Sequence, residues 1–170
     1  MTNYIPNNIL LTQKELYSLY NLSYNNMIFE KESKEYSACT FKLNNFSVKF
    51  RQAKITPTKI GQFIRYWKRS VSQETVPFDN SDDFDFLIIA TNFGIQVGQF
   101  IFPKSVLIEH KIISTPQTEG KRGFRVYPAW DKPDNAQAKK TQLWQLSFFF
   151  DITSKDLHLE KIKKLFCNPN

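Results

Sequence analysis

Residues 36–69 read YSACTFKLNNFSVKFRQAKITPTKIGQFIRYWKR, and the fold turns on them. The stretch holds eight cations (Lys42, Lys49, Arg51, Lys54, Lys59, Arg65, Lys68, Arg69) and no carboxylate. Cys39, Phe41 and Leu43 alternate with polar residues, and so do Phe46, Val48 and Phe50. That alternation belongs to two half-buried strands. Asn44-Asn45 between them suits a two-residue hairpin turn, because Asn tolerates positive φ. Such a turn pairs Leu43 with Phe46, Phe41 with Val48 and Cys39 with Phe50, so the two apolar faces meet. Thr56-Pro57-Thr58 then offers a helix N-terminus. Ile60, Phe63, Ile64 and Trp67 follow at helical spacing and predict a helix as far as Arg69.

Continuing the hairpin count puts Glu35 opposite Lys54, with Gln52 on the diagonal, all on the core side just past the apolar ladder. A cross-strand ion pair beside a satisfied amide is one reading of this trio. The other is a nuclease-type centre, in which an acid and a (Glu/Asp/Gln)-x-Lys on adjacent strands follow the pattern of restriction-endonuclease-like folds. A carboxylate would hold a hard cation, Mg or Mn, that activates water. The Lys would stabilise the developing charge. Glu35, Gln52 and Lys54 are therefore the catalytic candidates, with Glu35 the metal ligand. Gln52 supplies only a neutral amide oxygen, which predicts weak metal binding. Asp85, in the cluster Asp82, Asp83 and Asp85, is a second metal candidate, expected near Phe100 with Lys104 close by. Loop solubility is the first reading of that cluster, and the metal role is its alternative.

A chain of 170 residues with 16 Phe is long enough to bury a core as one domain. Its expected parts are an N-terminal helix and connector (1–34), a core (35–150) and a C-terminal amphipathic helix packing on that core (151–170). No apolar run is long enough for a transmembrane helix. The start, MTNYIPNN, lacks the basic and apolar regions of a secretory signal, so a cytoplasmic protein is expected. Cys39 and Cys167 have neither metal-ligand spacing nor a disulfide framework; Cys39 reads as core and Cys167 as tail. The net charge of +7 is unevenly spread. Residues 36–73 sum to +8, residues 74–119 to −5 and residues 120–150 to +4. Two basic blocks around an acidic middle make an electrostatic footprint for phosphate backbones.

Along the chain, Thr12 and Glu15 form a capping-box pattern for a helix over 13–21, with Leu16, Leu19 and Tyr20 inward. Glu15 could also reach a metal site from that helix. Residues 27–29 read as a short strand. Residues 84–91 (FDFLIIAT) read as a central strand because the apolar run is nearly continuous. Residues 95–102 are its partner, and Pro103-Lys104-Ser105 opens a short helix. His110 and His158 read as structural. Residues 121–130 join three cations to three aromatics around a strand, a combination that binds phosphate and stacks on bases. Asp134 or Asn135 caps a helix over 136–150, and Leu157, Leu159, Ile162, Leu165 and Phe166 make an amphipathic tail. The nucleic-acid contacts expected from both basic blocks are Arg51, Lys59, Gln62, Tyr66, Arg69, Lys121, Arg122, Arg125, Tyr127, Trp130, Lys139 and Lys140.

The motifs EYSACTF (35–41), FRQAKITPTKIGQF (50–63), WKR (67–69), GQFIFPK (98–104), GKRGFRVYPAW (120–130) and AKKTQLWQ (138–145) together resemble the MepB family. The family is named for genes beside a multidrug efflux pump and its repressor. Its element order, helix, three strands, helix, strand, is similar to the core of restriction-endonuclease-like proteins. The resemblance implies an α+β domain with a mixed sheet flanked by helices, an αβββαβ core, and nucleic-acid binding, DNA before RNA, with no membrane partner. Gln52 departs from the usual acid, so the expected centre is degenerate or weak. The alternative is a non-enzymatic accessory module that binds a small aromatic ligand or a protein partner.

Overall fold

The hairpin forms in the register counted from the sequence. In the computed structural model, which describes residues 4–154 and 158–167, strand β2 (Cys39–Leu43) pairs antiparallel with β3 (Phe46–Gln52) through Cys39↔Phe50, Phe41↔Val48 and Leu43↔Phe46. Asn44 takes the positive φ of the turn, 51°. Strand β1 (Tyr24–Phe29) adds to the outer edge of β2. On its other side β3 pairs in parallel with β8 (Phe86–Phe93), and β8 pairs antiparallel with β9 (Gln96–Pro103). A last strand, β11 (Phe149–Asp151), closes a six-stranded mixed sheet of order β1-β2-β3-β8-β9-β11. Phe86 to Thr91 of β8 are all buried, as expected of a central strand covered on both faces.

One face of the sheet, carrying Phe41, Val48, Phe50, Ile88 and Ile101, is covered by helix α1 (Asn7–Glu15), the turn Tyr17–Tyr20 and the C-terminal helix α4 (Leu159–Ile162). Of the described tail residues Ile162, Leu165 and Phe166 are buried, Phe166 lies 4.8 Å from the Phe86 ring, and Leu159 is exposed. Leu157 lies outside the described residues. Helix α1 starts six residues before the expected first turn. Thr12 is not its cap, because its hydroxyl donates to the Asn8 carbonyl in mid-helix at 2.6 Å. The helix yields to a 3-10 turn at Tyr17, so Tyr17 is buried and Leu19 is exposed.

The helix expected from Thr56-Pro57-Thr58 to Arg69 does not form. Residues 62–65 are strand β5 (Gln62–Arg65) and residues 67–69 are β6 (Trp67–Arg69). Gln62, Ile64 and Tyr66 are buried in alternation, a period of two that the same residues carry alongside the helical one. Two facts decide between the periods. Gly61 sits at φ 87°, which breaks a helix in its first turns. Strand β10 (Gly123–Val126) supplies an antiparallel partner, pairing Phe124 with Ile64 and Val126 with Gln62. With β4 (Lys54–Ile55) these strands form a three-stranded sheet, β10-β5-β4. That sheet, helix α2 (Lys104–Glu109) and helix α3 (Ala136–Gln145) cover the second face through Ile64, Tyr66, Leu107, Phe124 and Val126. Strand β7 (Thr75–Pro77) pairs with β6 in a two-stranded sheet. Helix α3 is capped by Asn135, whose side chain accepts from the Ala138 N–H at 2.9 Å. It stops at Gln145, short of the expected residue 150. The chain is thus an α+β domain with a mixed sheet flanked by helices.

Candidate nucleic-acid interface

The three catalytic candidates do not converge. Strand β3 ends at Gln52, and Ala53 donates its N–H to the Ala90 carbonyl at 2.9 Å as the chain leaves the large sheet. Lys54 then pairs with Phe63 in the small sheet, so the alternation that should align Gln52 with Lys54 is interrupted. Gln52 faces α1: its amide meets the Asn8 side chain, and its Nε2 donates to Asn92 Oδ1 at 3.2 Å. Glu35 is in a 3-10 turn, Lys34–Tyr36, bounded by Ser33 and Ser37 at positive φ, and not on a strand facing Lys54. Its carboxylate accepts from Arg65 at 2.7 Å, and Lys54 Nζ lies 4.8 Å from the Tyr36 ring.

These positions do not assemble oxygen donors for a hard cation, which needs several carboxylate or carbonyl oxygens at one point. Among the described residues no group of three His, Cys, Asp or Glu is disposed to hold a metal ion. Asp85 lies beside Lys104 rather than Phe100, since β8 and β9 pair Phe86 with Pro103. Its Oδ2 accepts the Ser47 N–H at 2.7 Å, which splices β3 to the start of β8. Asp82 and Asp79 both hold Lys68 at 2.7 Å. Glu15 is exposed and pairs with its neighbour Lys14.

The first basic block is largely neutralised from within. Arg51 is fully buried on the second face, where Nη2 donates to Glu30 at 2.6 Å, Nη1 to the Phe50 carbonyl and Nε to the Arg65 carbonyl. A buried guanidinium needs a carboxylate, and Glu30 provides it from the connector before the hairpin. Lys49 shares that carboxylate at 3.3 Å, Arg65 holds Glu35 and Arg69 holds Glu32. Tyr66 is buried against Phe78, with ring centroids 4.5 Å apart, and cannot stack on a base. Arg51 and Tyr66 are therefore corrected from surface contacts to core residues. Arg69 and Arg122 are exposed, but Arg122 spends its donors on the Thr75 carbonyl and on Glu119.

The second block is arranged differently. Lys121, Arg125, Tyr127 and Lys140, all expected from the sequence, line one cleft of 410 Å³ between β10 and α3. None of its three cations has a carboxylate partner among the described residues, and Lys121 and Lys140 are exposed. Arg125 is oriented by two acceptors, the Gly61 carbonyl at 3.0 Å and Thr56 Oγ1 at 2.8 Å. Those bonds leave donors of the five-donor guanidinium for another acceptor. The wall is fixed by Gln145, which the sequence did not single out. Fully buried at the end of α3, it accepts the Tyr127 N–H at 2.9 Å and donates to the Arg125 carbonyl at 3.0 Å. His110 stacks flat on Trp144 at 3.7 Å and forms the floor. Lys139 is exposed on α3, Trp130 packs edge-on to Phe149, and Lys59 and Gln62 border a separate cavity. Gly61, on the wall of that second cavity, packs against the Tyr127 ring of the cleft, where a Cβ would meet the ring at 2.6 Å.

A family model described as MepB-like matches residues 30–151. No curated protein matches the chain. Among solved structures, a crystal structure of MepB is similar at 32% sequence identity and a TM-score of 0.77, over 89% of this chain and 100% of that one. The helix-free crossover, the cleft and the motif-bearing strands β3, β5, β9 and β10 all fall inside the matched residues, and the chain belongs to the MepB-like family.

Proposed function

We propose that this chain binds nucleic acid, DNA before RNA, through the cleft between β10 and α3. What carries the reading is a cleft where Lys121, Arg125 and Lys140 meet aromatic Tyr127 with no carboxylate partner among the described residues. Unpaired cations gain from releasing counterions of a phosphate backbone, whereas cations already held by carboxylates gain little. The order α1, three antiparallel strands, crossover and parallel β8 supports a likeness to the restriction-endonuclease core. The likeness does not extend to the crossover, which here is built of strands. The scattered Glu35, Gln52 and Lys54 support binding without metal-dependent cleavage.

Filter binding of single-stranded and duplex DNA and RNA over a salt series tests this. Affinity should fall steeply with salt, and Lys121→Ala with Lys140→Ala should flatten the slope. Absence of retardation on every nucleic acid at low salt refutes the proposal. A second reading, an aromatic ligand, is favoured by a 480 Å³ cavity lined by Phe46, Phe84, Phe86 and Phe148 with Lys104 and Lys161. Saturable binding of an anionic naphthalene sulfonate, lost in Lys161→Glu, would support it; no saturable binding would remove it.

A further inference from the structure

The 480 Å³ cavity shares no lining residue with the cleft between β10 and α3. It lies at the seam of the two cores. Phe86 and Leu165 belong to the core under α1, Phe84 and Val106 to the core under β5 and β10, and Phe148 packs against both. Neighbouring rings hold the walls: Phe46 meets Phe86 with centroids 5.4 Å apart, and Phe148 meets Phe102 at 5.9 Å. The volume is that of an ordinary small-ligand pocket.

The charge on this cavity is one-sided. Lys104, Lys161 and Lys164 line it against a single carboxylate, Asp85, whose Oδ2 already accepts the Ser47 N–H at 2.7 Å. Lys104 Nζ donates to the Asp82 carbonyl and lies 5.1 Å from the centre of the Phe84 ring. Lys161 Nζ donates to the Leu146 and Phe149 carbonyls at 3.2 and 2.9 Å, on either side of the wall residues Ser147 and Phe148. An ammonium has three donors, so each of these two lysines keeps at least one. Lys164 follows Lys161 by three residues, which puts both on one side of the C-terminal segment. It is exposed and has no carboxylate partner among the described residues. Burial lowers the Lys161 pKa, the mark of an ammonium short of solvation that an anion would return.

We infer that this cavity takes a planar aromatic anion, with its rings against Phe46, Phe84 and Phe148 and its anionic group on Lys161 and Lys164. The inference rests on the aromatic-ligand reading and adds to it the charge of the ligand and a role for the tail. Three ammonium groups against one committed carboxylate select an anion. Ring-on-ring contact favours an aromatic body over an acyl chain. Lys161, Lys164 and Leu165 belong to the C-terminal segment 159–167, so the bound molecule also fastens that segment to the sheet and slows its opening.

The test uses the full chain in calorimetric titrations with 2-naphthoate, the neutral 2-naphthalenemethanol, the cationic 2-naphthylmethylammonium and laurate. Naphthoate should saturate one site and bind about tenfold tighter than the neutral alcohol, the worth of one charge-assisted hydrogen bond. The cation should bind weakest. Lys161→Met and Lys164→Met, which keep the apolar stem, should each shrink the preference for naphthoate and leave alcohol binding unchanged. Amide hydrogen exchange of residues 159–167 should slow with naphthoate bound. Equal binding of anion and alcohol overturns the inference and leaves the aromatic-ligand reading standing. Tighter binding of laurate than of naphthoate overturns the aromatic body. A preference that survives in both lysine variants, or protection that falls on β10 and α3 instead, overturns the assignment to this cavity. Failure of every probe overturns both the inference and the aromatic-ligand reading, and leaves the nucleic-acid reading untouched.

Discussion

Glu30→Gln isolates the claim that the first basic block is structural. In the folded chain Glu30 is the carboxylate for Arg51, whose side chain is 0% exposed while that of Glu30 is 18% exposed. The variant keeps shape and one accepting oxygen but leaves the guanidinium charge buried without a counter-charge. Breaking such a pair from one side costs about 3–5 kcal/mol, and the partial exposure of Glu30 puts the expected loss near the lower end, about 3 kcal/mol. For a chain of this size that is a fall in Tm of roughly 6–12 °C. Urea unfolding followed by circular dichroism gives the free energy directly, with m unchanged if only stability moves. Removing both charges, Glu30→Leu with Arg51→Met, should recover most of the loss, because the desolvation cost goes with them. The Glu30→Gln protein should still bind oligonucleotides with unchanged salt slope. A loss under about 1 kcal/mol, or a double variant no more stable than the single one, would refute the buried-pair reasoning.

Lys121→Ala and Lys140→Ala should each lower the salt slope on single-stranded DNA by about 0.7 per lost phosphate contact, measured by anisotropy, while Arg65→Ala leaves it unchanged. Gly61→Ala should destabilise by about 1–3 kcal/mol in urea melts, since φ 87° strains a Cβ that also meets the Tyr127 ring at 2.6 Å. The hydrogen bond from Lys68, then that from Ser81, lowers the Asp79 carboxyl from 3.8 to about 2. A depressed folded value means its contribution is present above the unfolded pKa and vanishes as pH falls toward about 2. Urea midpoints should therefore drop through that window, and Lys68→Met should flatten the drop.

The parts legible in the sequence were those where one period excluded the other. Phe41, Val48 and Phe50 alternate and nothing else, and the run from Phe86 to Ala90 is too short for a buried helix and too apolar for an edge strand. The crossover failed that criterion. Ile60, Phe63, Ile64 and Trp67 fit a helix, and Gln62, Ile64 and Tyr66 fit a strand. The choice was made by β10, some sixty residues further on, which no local pattern reports. Charge was misread for a related reason. The block count treated residues 36–69 as a free cationic surface, yet Glu30, Glu32, Glu35, Asp79 and Asp82 fold onto it from both flanks. Within the candidate site, the basic–aromatic strand was legible by composition. Gln145 was not, although a Gln on the expected helix over 136–150 was the available signal.

The strand-built crossover also determines where chemistry can reside. Parallel neighbours β3 and β8 require a connection that covers one face of the sheet. A helix there would let β3 run on, keeping Gln52 and Lys54 on one strand and one side, as an acid–amine centre requires. Because the connection starts as β4, the chain changes sheets at Ala53, and Gln52 stays against α1 while Lys54 goes to the other layer. The same change brings Gly61 and Thr56 within reach of Arg125 on β10, which they orient, while Gly61 and Gln62 border the neighbouring cavity of 340 Å³. Loss of alignment at the sheet end and formation of the cleft are thus two results of one backbone choice. Restoring an acid at position 52 alone, as Gln52→Glu, should then confer no divalent-dependent cleavage, because Lys54 would remain in the other sheet; Mg²⁺-dependent cleavage by that variant would show that the layers exchange.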